Sequence, residues 1–98
     1  MKDQSMIPAN TLCLHYNIEV SFVTALHQMG LIELEIIEQD PFIRSDQLSD
    51  LERMIRLHHE LHLNLEGIDV VVNLLQRERK LRLELQALEN RLRLYENH

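Results

Sequence analysis

Residues 64–95 read NLEGIDVVVNLLQRERKLRLELQALENRLRLY, and this run decides the fold. It contains no proline, and its one glycine, Gly67, falls in what would be the first turn of a helix. Apolar residues recur at Val71, Leu74, Leu81, Leu85, Leu88, Leu92 and Tyr95, with gaps alternating between three and four and one rung missing at Glu78. Such a repeat winds a single apolar seam along a long helix. At about 1.5 Å per residue the helix would be roughly 45 Å long. No compact body built from the rest of the chain would cover it, so the far end of the seam needs another surface. A second copy of the same helix supplies one. The expectation is a homodimer with Leu74, Leu81, Leu85, Leu88 and Leu92 as its seam.

Working back from this run, Asn64 offers an N-cap, and Glu66 and Asp69 lie near the positive end of the helix dipole. Ile68, Val72 and Leu75 are expected to turn inward, while the seam emerges further along. The joint His62-Leu63-Asn64-Leu65 is short, so the preceding helix should pack against the long one. That helix is expected to start from a Ser45 or Asp46 cap and to run to about His62. Its buried face would use Leu48, Leu51, Ile55 and Leu61, with Met54 and Leu57 beside them.

Leu31-Ile32-Glu33-Leu34-Glu35-Ile36 alternates apolar and acidic residues, which is the period of a strand. Gln39-Asp40-Pro41 then reads as a turn and Phe42-Ile43-Arg44 as a returning strand. Further upstream, Pro8 suits the first turn of a short helix running to about His15, with Leu12 in the core. Asn17 takes a turn. A second helix from Val20 to Met29 presents Val23, Leu26 and Met29 on one face and is closed by Gly30. Two short helices with a tight joint, followed by a hairpin, make a helix-turn-helix with a wing. The fold class is therefore mainly α: residues 1–63 form a winged helix-turn-helix with a third helix, and residues 64–98 form the long helix, part packed on the domain and part coiled-coil seam.

The chain has 98 residues, enough for one domain and an extension. Its single cysteine, Cys13, is flanked by Leu12 and Leu14 and reads as a buried structural thiol in a reducing compartment. No signal-peptide run and no membrane-spanning stretch is visible, so a cytoplasmic protein is expected. The net charge is −6. Most of it falls in the front half, where Lys2 and Arg44 stand against Asp3, Glu19, Glu33, Glu35, Glu38, Asp40 and Asp46. An acidic surface repels nucleic acid and attracts basic partners.

Three stretches carry a resemblance: Ile18 to Ile32, ending in Met29-Gly30-Leu31-Ile32; Gln47-Leu48-Ser49-Asp50-Leu51; and Arg56 to Ile68. Together they resemble the MerR-type winged helix proteins over roughly residues 6–96. The last stretch, above all Leu63-Asn64-Leu65-Glu66-Gly67-Ile68, is similar to the chaperone-modulator (CbpM-like) branch. DNA-reading members of the superfamily carry an arginine and aromatic residues where this chain has Thr24, Ala25 and Leu26, and a basic, aromatic wing where it has Asp40 and Pro41. No lysine or arginine lies between Lys2 and Arg44, so the second helix offers Glu19, Ser21, Thr24, His27 and Gln28. Charged phosphate contacts supply much of the affinity for DNA, and these residues bring no lysine or arginine to make them.

The chaperone-modulator resemblance implies a different partner, the J-domain of a DnaJ-like co-chaperone of the curved-DNA-binding type. It implies inhibition of that co-chaperone's stimulation of an Hsp70-type chaperone. J-domains present a basic helix beside a His-Pro-Asp loop, so acidic contacts are expected at Asp50, Glu52, Glu60, Glu66 and Asp69, with Glu33, Glu35 and Glu38 as weaker candidates. The alternative is a MerR-like transcription regulator that binds operator DNA; a small-molecule sensor is a third reading, with no ligand defined.

No enzyme is expected. With only Gly30 and Gly67, the chain has no glycine-rich phosphate loop, and it signals no nucleophile with its base. No cofactor motif is present. His58 and His62 stand four apart, as two zinc ligands on one helix face would, but no second cluster completes a site. The basic cluster Arg77, Arg79, Lys80 and Arg82 is interleaved with Glu78 and Glu84 and reads as helix-surface ion pairing.

Overall fold

The computed structural model describes residues 5–97; Lys2 and Asp3, counted in the charge balance above, lie outside them. Strand β1 (Met6–Pro8) leads into α1 (Ala9–Tyr16) and α2 (Val20–Gln28). A hairpin of β2 (Glu35–Ile37) and β3 (Asp40–Arg44) follows, then a 3-10 turn (Ser45–Gln47), α3 (Leu48–Glu60) and α4 (Leu65–Glu96). This is the expected winged helix-turn-helix with a long final helix. The core gathers Leu12 and Cys13 from α1, Val23 and Leu26 from α2, Ile32 from the link that follows, Ile43 from β3, Leu51, Met54 and Ile55 from α3, and Ile68 and Val72 from α4.

Several local details depart from the sequence reading. The sheet has three strands in the order β1-β3-β2, all antiparallel, because Met6 and Ile7 pair with Arg44 and Ile43. Pro8 ends β1 instead of sitting inside α1; its backbone is extended and α1 begins at Ala9. The strand expected from Leu31 shrinks to Glu35–Ile37. Ile32 is buried in the core, and Leu31 and Leu34 pack against it, so this segment cannot lie flat beside β3. Its backbone bonds go elsewhere: the Leu31 N–H donates to the Leu26 carbonyl at 3.0 Å, and the Glu33 N–H to Gln47 Oε1 at 3.2 Å. The hairpin turns on Glu38 and Gln39, not on Asp40-Pro41, with φ values of 52° and 73°. Two consecutive positive φ values give the tight turn whose twist matches the flanking strands. Pro41 faces Ile36 and lies beyond the end of β1, where a missing N–H breaks no ladder.

Neither Ser45 nor Asp46 caps α3; both fall in the 3-10 turn, and no side chain caps the helix. Its C-terminus comes at Glu60, earlier than His62. The Leu57 carbonyl accepts from the N–H groups of Leu61 and Leu63, and His62 adopts a left-handed backbone with φ 56°. Leu61 is therefore outside the helix and 64% exposed, not part of the buried face. Leu51, Met54 and Ile55 form that face. Met29 and Leu75, expected inside, are 36% and 43% exposed, because each lies where its helix leaves the core.

The start of α4 follows the sequence reading. Asn64 Oδ1 accepts from the Gly67 N–H at 2.8 Å. A Cβ on Gly67 would sit 3.2 Å from that oxygen and 3.4 Å from Leu63, so glycine suits this close turn. Gly30, at φ 79°, closes α2 in the left-handed region that L side chains avoid. Ile68 and Val72 bury the first turns of α4. Beyond Leu75 the helix leaves the domain, and the molecule extends over 60 × 38 × 20 Å.

Candidate protein-binding surface

A reading head for DNA needs cations on α2 and on the wing. Helix α2 has none. On its exposed side Ser21 donates weakly to Glu19, and His27 donates from Nδ1 to the Ile32 carbonyl at 3.2 Å. The wing's cation, Arg44, is held by three carboxylates: Glu33 at 3.0 Å, Asp46 at 3.3 Å and Glu35 at 3.9 Å. The hydrogen bond to Asp46 pushes the guanidinium above its already high pKa, and Glu33 and Glu35 add to the effect. The surface that would meet phosphates thus combines a helix without lysine or arginine with a wing cation already surrounded by acid. Glu33 and Glu35, the weaker acidic candidates, are committed to Arg44; Glu38 sits in the exposed hairpin turn.

The five preferred acidic residues are spread over several surfaces. Glu52 is half-buried and accepts a hydrogen bond from the Tyr16 hydroxyl, tying α3 to α1. Asp50 lines a groove between α3 and α4 with Arg53, Leu75 and Arg79. Asp69 lies on α4 near Val70, Leu74 and Arg77, and its carboxylate and carbonyl both accept from Asn73 at 2.8 Å. Glu60 ends α3 in full view of solvent. Glu66 borders an open cleft of about 630 Å³ between the start of α2 and the α3–α4 joint.

That cleft is the feature the sequence reading missed. Ile18 and Phe22 form one side, His58 and Leu65 the other, and Glu19 and Glu66 stand at its margins. The Phe22 and His58 rings lie 4.7 Å apart. His58 Nδ1 donates to the Leu63 carbonyl at 2.8 Å, which fixes the ring in the wall. No local spacing could announce this grouping, since it forms only when α2 packs against α3. The same contact separates the histidines: His58 points into the wall, while His62 sits past the helix end. They do not share a helix face, and no group of metal-ligating side chains forms among the described residues.

Along α4 the seam is open. Leu74, Leu81, Leu85, Leu88 and Leu92 are each 56–59% exposed. Cys13, by contrast, is buried, and its burial pushes the thiol pKa up, away from reactivity.

Comparison with known proteins agrees with this architecture. The family model for MerR HTH family regulatory proteins matches residues 7–90. The chain belongs to this family, in its CbpM-like branch. It is 32% identical over 83 residues to the chaperone modulatory protein CbpM of Pseudomonas putida (strain W619), covering 84% of this chain and 82% of the relative. The CbpM of Pseudomonas entomophila (strain L48) is 29% identical over the same shares. As a member of the MerR HTH family the chain keeps the helix-turn-helix and wing, with no lysine or arginine on α2 and the wing arginine paired to Glu33, Glu35 and Asp46. None of its described helices is long and apolar enough to cross a membrane.

Proposed function

We propose that this chain is a non-enzymatic, cytoplasmic regulator that binds the J-domain of a DnaJ-like co-chaperone and inhibits its stimulation of an Hsp70-type chaperone. It acts as a homodimer through the α4 seam. One observation carries the choice of a protein over DNA: the wing cation Arg44 is surrounded by Glu33, Glu35 and Asp46, and α2 has no lysine or arginine to replace it. The choice of a chaperone partner is supported by the relatives, which are named chaperone modulatory proteins. Asp50, Glu52, Glu60, Glu66 and Asp69 are the proposed contacts with the basic J-domain surface, and the apolar walls of the α2–α3 cleft supply anchors beside Glu66.

The test is a titration of a J-domain against the chain and against a variant carrying Glu60→Lys, Glu66→Lys and Asp69→Lys. The native chain binds and suppresses J-stimulated ATP hydrolysis by the Hsp70; the triple variant loses at least about tenfold in affinity. Unchanged affinity rejects this face. Tight, sequence-selective binding to duplex DNA in physiological salt, with no affinity for the J-domain, would make the chain a transcription regulator.

A further inference from the structure

We propose that the outer edge of the wing, strand β2, is a second protein-docking surface, which takes an extended segment of alternating basic and apolar residues as a fourth strand of the sheet. This docking needs neither the J-domain nor the α4 dimer.

The hairpin ladder leaves one residue of that edge open. Ile37 faces Asp40 across the two-residue turn of Glu38 and Gln39. Residues that bracket such a turn are hydrogen-bonded to each other, and bonded and non-bonded pairs then alternate along an antiparallel ladder. Glu35 and Phe42 form the next bonded pair, and Ile36 and Pro41 stand between as a non-bonded one. The N–H and C=O of Ile36 are thereby turned away from β3. Strand β2 ends the order β1-β3-β2, so no described strand receives them. All three residues of β2 are exposed, and Ile36 is 66% exposed.

The surrounding charge selects the occupant. From residue 31 to 47 the chain carries Glu33, Glu35, Glu38, Asp40 and Asp46 against Arg44 alone. Arg44 is held by Glu33 and Asp46 and reaches Glu35 only at 3.9 Å. Glu38 and Asp40 form no ion pair among the described residues. The wing tip therefore sets two exposed isoleucines, Ile36 and Ile37, beside carboxylates without a cation.

Successive side chains of a strand take opposite faces. Ile36 shares one face with Pro41, and Glu35, Ile37 and Asp40 share the other. A strand bonded to Ile36 would set one residue against the Ile36 face and that residue's two neighbours on the Glu35–Asp40 face. An apolar side chain suits the first place and lysine or arginine the other two. The fitting segment is thus the charge complement of the chain's own Leu34-Glu35-Ile36 alternation.

Other occupants match these features less well. A second copy would bring its own acids against these, and like charges on neighbouring strands repel. Charged edges keep most strands away; acids leave the edge open to a basic one. A helix has its backbone groups bonded internally and offers none along its length to Ile36. Nucleic acid is repelled by the same carboxylates.

The probe is a short blocked peptide that alternates lysine with valine, titrated into the isotope-labelled full chain at about 0.05 M salt. It should shift the amide resonances of β2 and its turn saturably and slow hydrogen exchange at the Ile36 N–H. The same peptide with every valine N-methylated loses the donors and should bind about tenfold more weakly or less. The paired substitution Glu38→Lys and Asp40→Lys should weaken the unmethylated peptide by about tenfold or more, with the resonances of the four helices unmoved as the check on the fold. No saturable shift on the wing up to about 1 mM peptide overturns the proposal. Undiminished binding of the methylated peptide means contact by charge without an added strand, and overturns it too. So does an unchanged affinity in the doubly substituted chain, or binding that moves the α2–α3 cleft and leaves β2 unmoved.

Discussion

Tyr16 closes α1 and Glu52 stands in the second turn of α3, and the phenol of one donates to the carboxylate of the other across 36 residues of sequence. Read along the chain, Glu52 is one acid among several on a helix surface; only the packing of α1 on α3 reveals its partner. The hydrogen bond to Glu52, then burial, then the charge of Glu52 all raise the Tyr16 pKa above its usual value near 10. The folded state thus holds the phenolic proton more tightly than the unfolded chain does. The stability this contributes is fully present below about pH 10 and is lost as pH climbs through the raised folded value. Tyr16→Phe should remove this alkaline decline from a plot of unfolding free energy against pH. At neutral pH the same substitution should cost about 1 kcal/mol, since Glu52 loses a donor while remaining half-buried. Urea denaturation of both proteins from pH 7 to beyond pH 11 measures both effects.

Among the elements, α4 was the most legible, and the reason is physical. A seam repeated over many turns, with glycine in the first turn and an asparagine before it, has one local solution, and the structure gives α4 as 32 continuous residues. The Asn64 cap also followed from local chemistry, because a side-chain oxygen two or three residues ahead of an open N–H needs no tertiary help. Asn64→Ala should therefore cost about 1 kcal/mol, seen as a lower urea midpoint at unchanged slope. A null effect would mean that the burial of Ile68 and Val72 fixes the first turn unaided. Segments whose hydrogen bonds are long-range were read less well. The alternation from Leu31 to Ile36 suggested one strand, yet Ile32 belongs to the core and Glu33 bonds Gln47. The three-residue β1 was invisible, since Met6 and Ile7 become a strand only by pairing with β3. In the candidate surface the acids could be named from sequence, but the cleft between Phe22 and His58 could not.

Taken whole, the molecule is a helix-turn-helix body on a helical stalk, with a net charge of −6 that a polyanion would not approach. If acidic side chains steer the partner, their effect should appear in the association rate more than in the lifetime of the complex. Such steering is screened over a Debye length of about 8 Å at physiological ionic strength. The association rate with a J-domain should thus fall steeply as salt is raised from about 0.05 M to 0.5 M, while the dissociation rate changes little. Reversing Glu60, Glu66 and Asp69 should flatten that salt slope, because these three carboxylates no longer attract a basic surface. Stopped-flow binding at a series of salt concentrations reads both rates. A salt-independent association rate, or a slope that survives the charge reversal, would place recognition on the apolar cleft walls and leave these acids as solvated surface.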